Sequence, residues 1–317
     1  MTLVSPPIIE PGSTLTFIAT PEHDLCRLDS FIAQHIPNHS RTFFKGLING
    51  SYVTVNNQVV AKSSRPIKTD DKITVTFPVP PKKDISNLIT DDLGIEIVAD
   101  LEHFMIINKP AGLLVHPPSS KSTDITLSDW LVARFHELEN VGYSDRPGIV
   151  HRLDRATSGI MVVPKNSWSH LQFGTMFRTR TIHKTYMALV RKHPERTGKI
   201  DYHITRHPAH KNRMIHSREE GRVSLTNYKV KEYLQNSTLV EAKPVSGRTH
   251  QIRVHFAAIG HALIGDPIYG SKSKFIKRQA LHAQSISFEL LGTTYEFSCS
   301  IPDDFEKLIE RARTSDM

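Results

Sequence analysis

The sequence predicts an α+β protein, in which a small helix–helix–hairpin module precedes a larger domain built on a mixed, mostly antiparallel sheet. Three observations carry that reading. Within residues 24–78 apolar residues recur twice at helical spacing and then give way to alternating runs. From about Asp91 onward the chain breaks into many short β-like runs punctuated by Gly and Pro. Neither strict strand–helix–strand alternation nor a G-x-G-x-x-G fingerprint is present, which argues against a doubly wound nucleotide-binding sheet.

Residues 1–23 are Pro-rich and aperiodic and read as an irregular arm. Leu25, Leu28, Phe31, Ile32 and Ile36 then share a helical face that Pro37 closes. Ser40 is a suitable N-cap for a second helix carrying Phe43, Phe44, Leu47 and Ile48, and Asn49-Gly50 ends it. Tyr52 to Val55 alternates as a strand, Asn56-Asn57 turns, Val59-Val60 begins the return, and Lys72 to Phe77 forms the last strand. Residues 79–90, opening Val79-Pro80-Pro81-Lys82-Lys83, form a stiff polar linker. In the domain spanning 91–317, strands are expected at Ile95–Val98, Phe104–Ile107, Ile160–Val163, Thr185–Val190 and Leu239–Lys243. Helices are expected at Thr126–Leu138, Ser167–Phe177 and His250–Ile259.

A length of 317 residues accommodates two domains. No apolar run approaches the roughly 20 residues that span a bilayer, and the start lacks the pattern of a secretory signal. Two cysteines, Cys26 and Cys299, cannot build a disulfide framework or a structural zinc site, so a reducing cytoplasm is the expected compartment. The formal charge is +8, from 40 Lys and Arg against 32 Asp and Glu. All of that excess lies between Arg178 and Arg222, where 12 Lys and Arg face four Asp and Glu among six histidines. A solvated basic face is one explanation; the footprint of a polyanion, most often a nucleic acid, is the other. The histidines show no helical metal-binding spacing, and no metal is expected.

Three stretches could carry chemistry. In Gly148-Ile149-Val150-His151-Arg152-Leu153-Asp154-Arg155-Ala156-Thr157-Ser158-Gly159, an aspartate stands between arginines. Opposite charge nearby favours the ionised form of a carboxylate, as a nucleophile or base requires, although a structural ion pair would look the same. In Gly247 to His255, Thr249 is placed to N-cap a helix ended by Gly260, with Arg253 near its first turn. In His183 to Val190, strand alternation aims Lys184 and Tyr186 at one side; a lone strand tyrosine is otherwise half-buried core.

Taken with Asn108-Lys109-Pro110-Ala111-Gly112, Val115-His116-Pro117, Gly265-Asp266-Pro267-Ile268-Tyr269-Gly270 and Leu281-His282-Ala283, these stretches resemble the RluA-type family of RNA pseudouridine synthases, in its RluD-like branch. The N-terminal module resembles an S-four-type (alpha-L) RNA-binding domain through Arg27-Leu28-Asp29, Ser40-Arg41, Leu47-Ile48 with Gly50, and Val53 to Asn56. The resemblance implies a pseudouridine synthase catalytic domain with Asp154 as the catalytic aspartate. It also implies Tyr186 as the aromatic stacked on the flipped base and Arg253 as the partner of the carboxylate. Arg152 matches the arginine that fills the space left by the extruded base, and Arg248 a phosphate contact or local structure. His116, His151 and His255 read as structural. Arg41, Lys45, Lys62 and Arg65 are the phosphate-contact candidates of the small module. Lys184, Arg206, Lys211 and Arg213 extend the RNA-binding surface beside the pocket. The family needs neither cofactor nor metal. The implied partner is RNA, above all large-subunit (23S) ribosomal RNA or ribosomal precursor particles, bound by a monomer away from membranes. The alternative is a non-catalytic RNA-binding or ribosome-assembly factor, which would be expected to lack Asp154, Tyr186 or Arg253; all three are present.

Overall fold

The computed structural model describes residues 12–36, 39, 41–79, 93–118, 122–143, 145–210 and 212–314. Most of the 1–23 arm's Pro-rich start, nearly all of the 79–90 linker, the Ser40 cap and Lys211 lie outside the described residues. Contacts divide the chain into two units. One comprises Met1–Asp91 with His116–Ile149, the other Asp92–Val115 with Val150–Met317.

In the first unit, helices α1 (Leu28–His35) and α2 (Arg41–Asn49) accompany a four-stranded antiparallel sheet in the order β1 (Thr14–Ile18), β4 (Lys72–Thr76), β2 (Val53–Val55), β3 (Gln58–Val59). Phe31, Ile32, Phe44, Leu47, Ile48, Val53, Ile73 and Val75 form its core. Two expectations need correction. The arm contains β1, because Leu15 and Phe17 alternate with threonines and turn inward against β4. Helix α1 starts at Leu28, not Leu25: Leu25 is exposed in a left-handed turn, its N–H donated to the Ile67 carbonyl. Asn56 and Asn57 both take positive φ, as a two-residue hairpin turn demands. In the same unit, α3 (Leu127–Arg134) opens on a capping box between Thr126 and Asp129 and buries Trp130 and Leu131. The short β7 (Gly142–Tyr143) and β8 (Arg146–Pro147) follow it.

The second unit is built on a ten-stranded sheet. Its strands are β5 (Glu96–Asp100), β6 (Phe104–Lys109), β9 (Ser158–Pro164), β10 (His183–Arg191), β11 (Thr197–Arg206), β12 (Met214–Ser217), β13 (Arg222–Tyr233), β14 (Ser237–Pro244), β15 (Leu281–Leu290) and β16 (Thr293–Ser298). The order is β12-β11-β13-β14-β10-β15-β9-β6-β5, with β16 hydrogen-bonded to β15. Every pairing is antiparallel except β15 with β9. Strand β15 is therefore the join between two blocks of sheet. The strands approach so closely there that a Cβ on Gly159 would lie 2.2 Å from the Ala283 carbonyl oxygen, and Gly159 has φ +123°. Only glycine fits.

Three helices complete this unit: α4 (Ser167–Thr179), α5 (Gln251–Ala258) and α6 (Asp303–Thr314). Phe173 of α4 packs with Phe104, Ile160, Val162, Ile286 and Phe288, while Phe305, Leu308 and Ile309 of α6 pack with Met187, Leu189 and Leu239. Helix α5 is buried from Gln251 to Phe256, contacting β11, β12, β13 and β14. A helix enclosed this way must satisfy its polar residues internally. His255 does so, meeting Ser224 Oγ at 3.2 Å and Thr226 Oγ1 at 2.9 Å. His282 of β15 similarly meets Ser158 Oγ at 3.0 Å and Cys299 Sγ at 3.3 Å.

Burial pushes both imidazoles down to about 4. Between about pH 6.5 and 4 the unfolded chain thus binds protons that the folded chain refuses, and stability declines as pH falls through that window. Lowering the pH from 7 to 5 is expected to cost about 2 kcal/mol for each histidine. Urea unfolding at the two pH values measures this; an unchanged midpoint would contradict neutral burial.

Candidate active site

Asp154 occupies the loop that leads into β9, and the loop is held through its backbone. The Asp154 carbonyl accepts the Thr157 N–H at 3.0 Å. Lys109, at the end of β6 and wholly buried, directs its ammonium at three carbonyls: Pro110 at 2.7 Å, Leu113 at 2.9 Å and Arg155 at 3.3 Å. Burial presses Lys109 down to about 7, against the pull of Asp154. Arg278 holds the loop's other end through the Ala156 carbonyl at 3.4 Å while its fork binds Asp304 of α6 at 2.7 and 2.8 Å.

Arg253, the third residue of α5, reaches Asp154 Oδ2 with Nη1 at 3.0 Å. Its Nε and Nη2 bind both oxygens of fully buried Asp266 at 2.7 and 2.9 Å. Asp266 also accepts the N–H groups of Ile268 and Tyr269, and these bonds with Arg253 outweigh burial to lower its pKa. The helix is not capped by Thr249, contrary to expectation. His250 is the cap residue, in a left-handed conformation with φ 56°, and its side chain makes no cap bond. Gln251 organises the turn instead, accepting from Ser246 Oγ at 2.7 Å and from the Arg248 N–H at 3.1 Å. This frees His250 to place Nδ1 2.8 Å from Tyr269 Oη and Nε2 3.8 Å from Asp154 Oδ2.

Tyr186 lies on β10 between Ala242 of β14 and Ala283 of β15, small neighbours that leave its ring room. Among the described residues the ring stacks on no other aromatic. Burial and the Asp154 carboxylate push its phenol upward. The register against β15 shifts between Thr185 and Tyr186. Lys184 carries its ammonium over Phe177, 5.7 Å from the ring centre, and burial lowers it to about 8. His151 is pushed down to about 3 by burial and Lys184, stacks on Phe177 and accepts the Val162 N–H.

Asp154, Arg253 and Tyr186 therefore converge from three distant stretches. Arg152 is exposed on the Asp154 loop. Arg248 bonds the Val223 carbonyl at 3.4 Å and is lowered by burial and by the charges of Arg222 and Arg180. Arg180 and Arg222 are exposed, and neither has a carboxylate partner among the described residues. Arg206 and Arg213 are exposed on the β11–β12 hairpin, Arg213 lying 5.9 Å from the Tyr269 ring centre. In the first unit Lys45 and Lys62 are exposed and Arg65 is half-buried. Arg41 is engaged there: with Arg27 it neutralises buried Asp29, at 3.1 and 2.9 Å.

Sequence reasoning assigned no role to Asp266, Tyr269 or Lys109, although each sits in a motif it singled out. Arg278 sits in none. Among the described residues no group of three or more His, Cys, Asp or Glu could hold a metal ion, and no helix is long and apolar enough to cross a membrane.

A carboxylate steered by a buried arginine, in a unit that also exposes Arg180 and Arg222 without a carboxylate partner among the described residues, suits an enzyme that modifies a nucleic acid. Comparison with known proteins narrows that class. The family model described as RNA pseudouridylate synthase matches residues 103–258, and the S4 domain matches 26–73. "Ribosomal large subunit pseudouridine synthase D" of Zymomonas mobilis is 35% identical over 298 residues, 90% of this chain and 93% of that one. An "Uncharacterized RNA pseudouridine synthase" of Aquifex aeolicus is 39% identical over 258 residues, 80% of each chain. The solved structure "Human RNA Pseudouridylate Synthase Domain Containing 1" matches with TM-score 0.55 and 26% identity, covering 70% of this chain and 96% of that one. The chain belongs to the RNA pseudouridine synthase family and carries an S4 domain. It is an isomerase that converts uridine to pseudouridine in RNA.

Replacing Asp266 with Asn should leave the Arg253 charge buried and half paired, costing about 3 kcal/mol of unfolding free energy in urea. A loss within about 0.5 kcal/mol, the scale of an ordinary surface substitution, would show that Asp266 does not bear this load.

Proposed function

We propose that the substrate is a structured segment of large-subunit ribosomal RNA, modified in the cytoplasm by a monomer, with Asp154 as the catalytic group. The observation that carries the site assignment is the 3.0 Å bond from Arg253 to Asp154 beside a tyrosine with an unstacked ring. The substrate assignment is supported by relatives named for the large ribosomal subunit that align over about nine-tenths of the chain.

In this reading the target uridine leaves its helix and its base rests on Tyr186, since a π-face accepts any base without sequence readout. Asp154 serves the ribose while the bond from C1′ to N1 breaks, by attack on the sugar or by abstraction of a sugar proton. The base turns and C5 bonds to C1′, releasing the proton formerly on C5. Arg253 orients the carboxylate. Arg152, exposed on the same loop, occupies the space the uridine vacates, offsetting part of the unstacking cost. Lys184, Arg248, Arg206, Lys211 and Arg213 attract the phosphate backbone, with Lys45, Lys62 and Arg65 of the S4 domain as further contacts. Arg41 contributes chiefly through Asp29, its partner in the fold.

Tritium release from ribosomal RNA labelled at uridine C5 tests the assignment. Asp154→Asn should abolish release while binding RNA within a few-fold of wild type, and Tyr186→Ala should slow turnover with similar affinity. Release by the Asp154 variant at the wild-type rate would remove Asp154 from the chemistry.

Charge reversal at Arg206 and Arg213 should weaken binding and flatten its salt dependence. The slope of log affinity against log salt should fall by about 0.7 to 0.9 for each phosphate that the variant no longer neutralises. Titrations at two salt concentrations read this directly, and an unchanged slope would place the RNA elsewhere.

A further inference from the structure

His250 has features that a structural residue of a helix start does not need. It adopts the left-handed conformation without being glycine, which costs about 1–2 kcal/mol. That backbone aims the imidazole between two specific atoms, Tyr269 Oη at 2.8 Å and Asp154 Oδ2 at 3.8 Å. Strain of this kind persists where the surroundings enforce it and gathers at working sites.

The hydrogen bonds decide which ring nitrogen carries the proton. The Met214 N–H can only donate, and it points at Tyr269 Oη at 2.8 Å, so the phenol oxygen is an acceptor there. Burial raises the Tyr269 pKa, which keeps the phenol protonated. Its O–H then has one acceptor among the described residues, His250 Nδ1. With Nδ1 accepting, a neutral imidazole bears its proton on Nε2, the nitrogen that faces Asp154. Burial also lowers the His250 pKa; Asp154 and Asp266 oppose this, while Arg253 and Arg152 add to it.

Asp154 Oδ2 already accepts from Arg253 Nη1. The Nε2–H of His250 approaches that same oxygen, slightly beyond hydrogen-bond length, and such contacts tighten when substrate closes the site. Oδ1 accepts no hydrogen bond among the described residues, and the Asp154 side chain is 17% exposed. The two oxygens thus have different surroundings: one is approached by both donors and the other accepts no hydrogen bond among the described residues.

We infer that His250 is a positioning residue, locked by Tyr269 with its proton on Nε2, which joins Arg253 at Oδ2 of Asp154 and so presents Oδ1 to the ribose. The inference rests on the reading of Asp154 as the group that serves the sugar. It assigns the reacting oxygen and gives Tyr269 a task, setting the tautomer, that neither residue's contact with substrate would require.

Nitrogen-15 NMR of the full chain labelled at histidine tests the tautomer without any assay of activity. The His250 signals, recognised by their disappearance in His250→Gln, should show a bare Nδ1 and a protonated Nε2. Tyr269→Phe should spread the proton over both nitrogens. A proton resident on Nδ1 in the wild type would overturn the proposal. In tritium release, His250→Ala should lower kcat about 30-fold with KM changed less than about threefold. His250→Gln, whose amide nitrogen reaches the place of Nε2, should recover most of that loss, and His250→Asn, whose nitrogen stops near Nδ1, should not. Unchanged kcat in His250→Ala, or equal loss in all three variants, would overturn the positioning role. Release by Asp154→Asn at the wild-type rate would instead indict the reading of Asp154, and the nitrogen spectrum would still judge the tautomer.

Discussion

The placement of the Asp154 carboxylate depends on a buried ion pair one step behind it. Arg253 and Asp266 are 4% and 0% exposed, so each has lost the water that would stabilise its charge. Desolvation on that scale is tolerated only when geometry and further hydrogen bonds compensate, and here both do. Asp266 receives two bonds from the arginine fork and two from backbone N–H groups, which leaves it little freedom to rotate. The guanidinium is planar, so fixing two of its nitrogens fixes the third. Nη1 is thereby aimed at Asp154 before any substrate arrives, the preorganisation on which electrostatic catalysis relies.

The loop bearing Asp154 is restrained by a different device. Lys109 and Arg278 are buried cations that bind mostly main-chain oxygens, and together they hold the carbonyls of Arg155 and Ala156, the two residues after the aspartate. Arg278 is balanced by Asp304, whereas Lys109 meets only carbonyls and is pressed down to about 7, so the loop is held by directed hydrogen bonds rather than by net charge. Arg180, Arg222 and Arg248 gather elsewhere in the same unit, each lacking a carboxylate partner among the described residues. The site thus combines a rigid carboxylate with surroundings that favour anions, which suits a reaction on a sugar flanked by phosphates.

Much of this was legible in the sequence. Helical and alternating periodicity located the core of α2, β2, β4, β9 and β10, since residues such as Phe44, Val53 and Val163 are buried for the reason their spacing suggests. Asp154, Tyr186 and Arg253 were legible as members of ordered motifs. What escaped depended on tertiary partners. Strand β1 was hidden by its Pro-rich neighbourhood and is stabilised by β4, more than fifty residues away. Thr249 looked like an N-cap because hydroxyls favour such positions, yet the buried carboxamide of Gln251 supplied the turn's hydrogen bonds instead. The part played by Asp266 is unreadable without knowing that Arg253 lies opposite, and Arg278 carries no local signature at all. The ion pair of Arg41 with Asp29 was likewise not legible in the sequence.

Strand β15 has a consequence for the order of events during synthesis. It lies between β10 and β9, joining the block of sheet associated with Tyr186 and Arg253 to the block that Asp154 leads into. Until Leu281–Leu290 has been made, the two blocks share no strand, and the parallel pairing at Gly159 spans well over a hundred residues of intervening chain. Such distant contacts form late, because loop closure must precede them. A nascent or truncated polypeptide lacking β15 therefore holds the basic hairpin and the Asp154 loop on blocks that no strand joins. The two blocks become one sheet only with the last of its long strands.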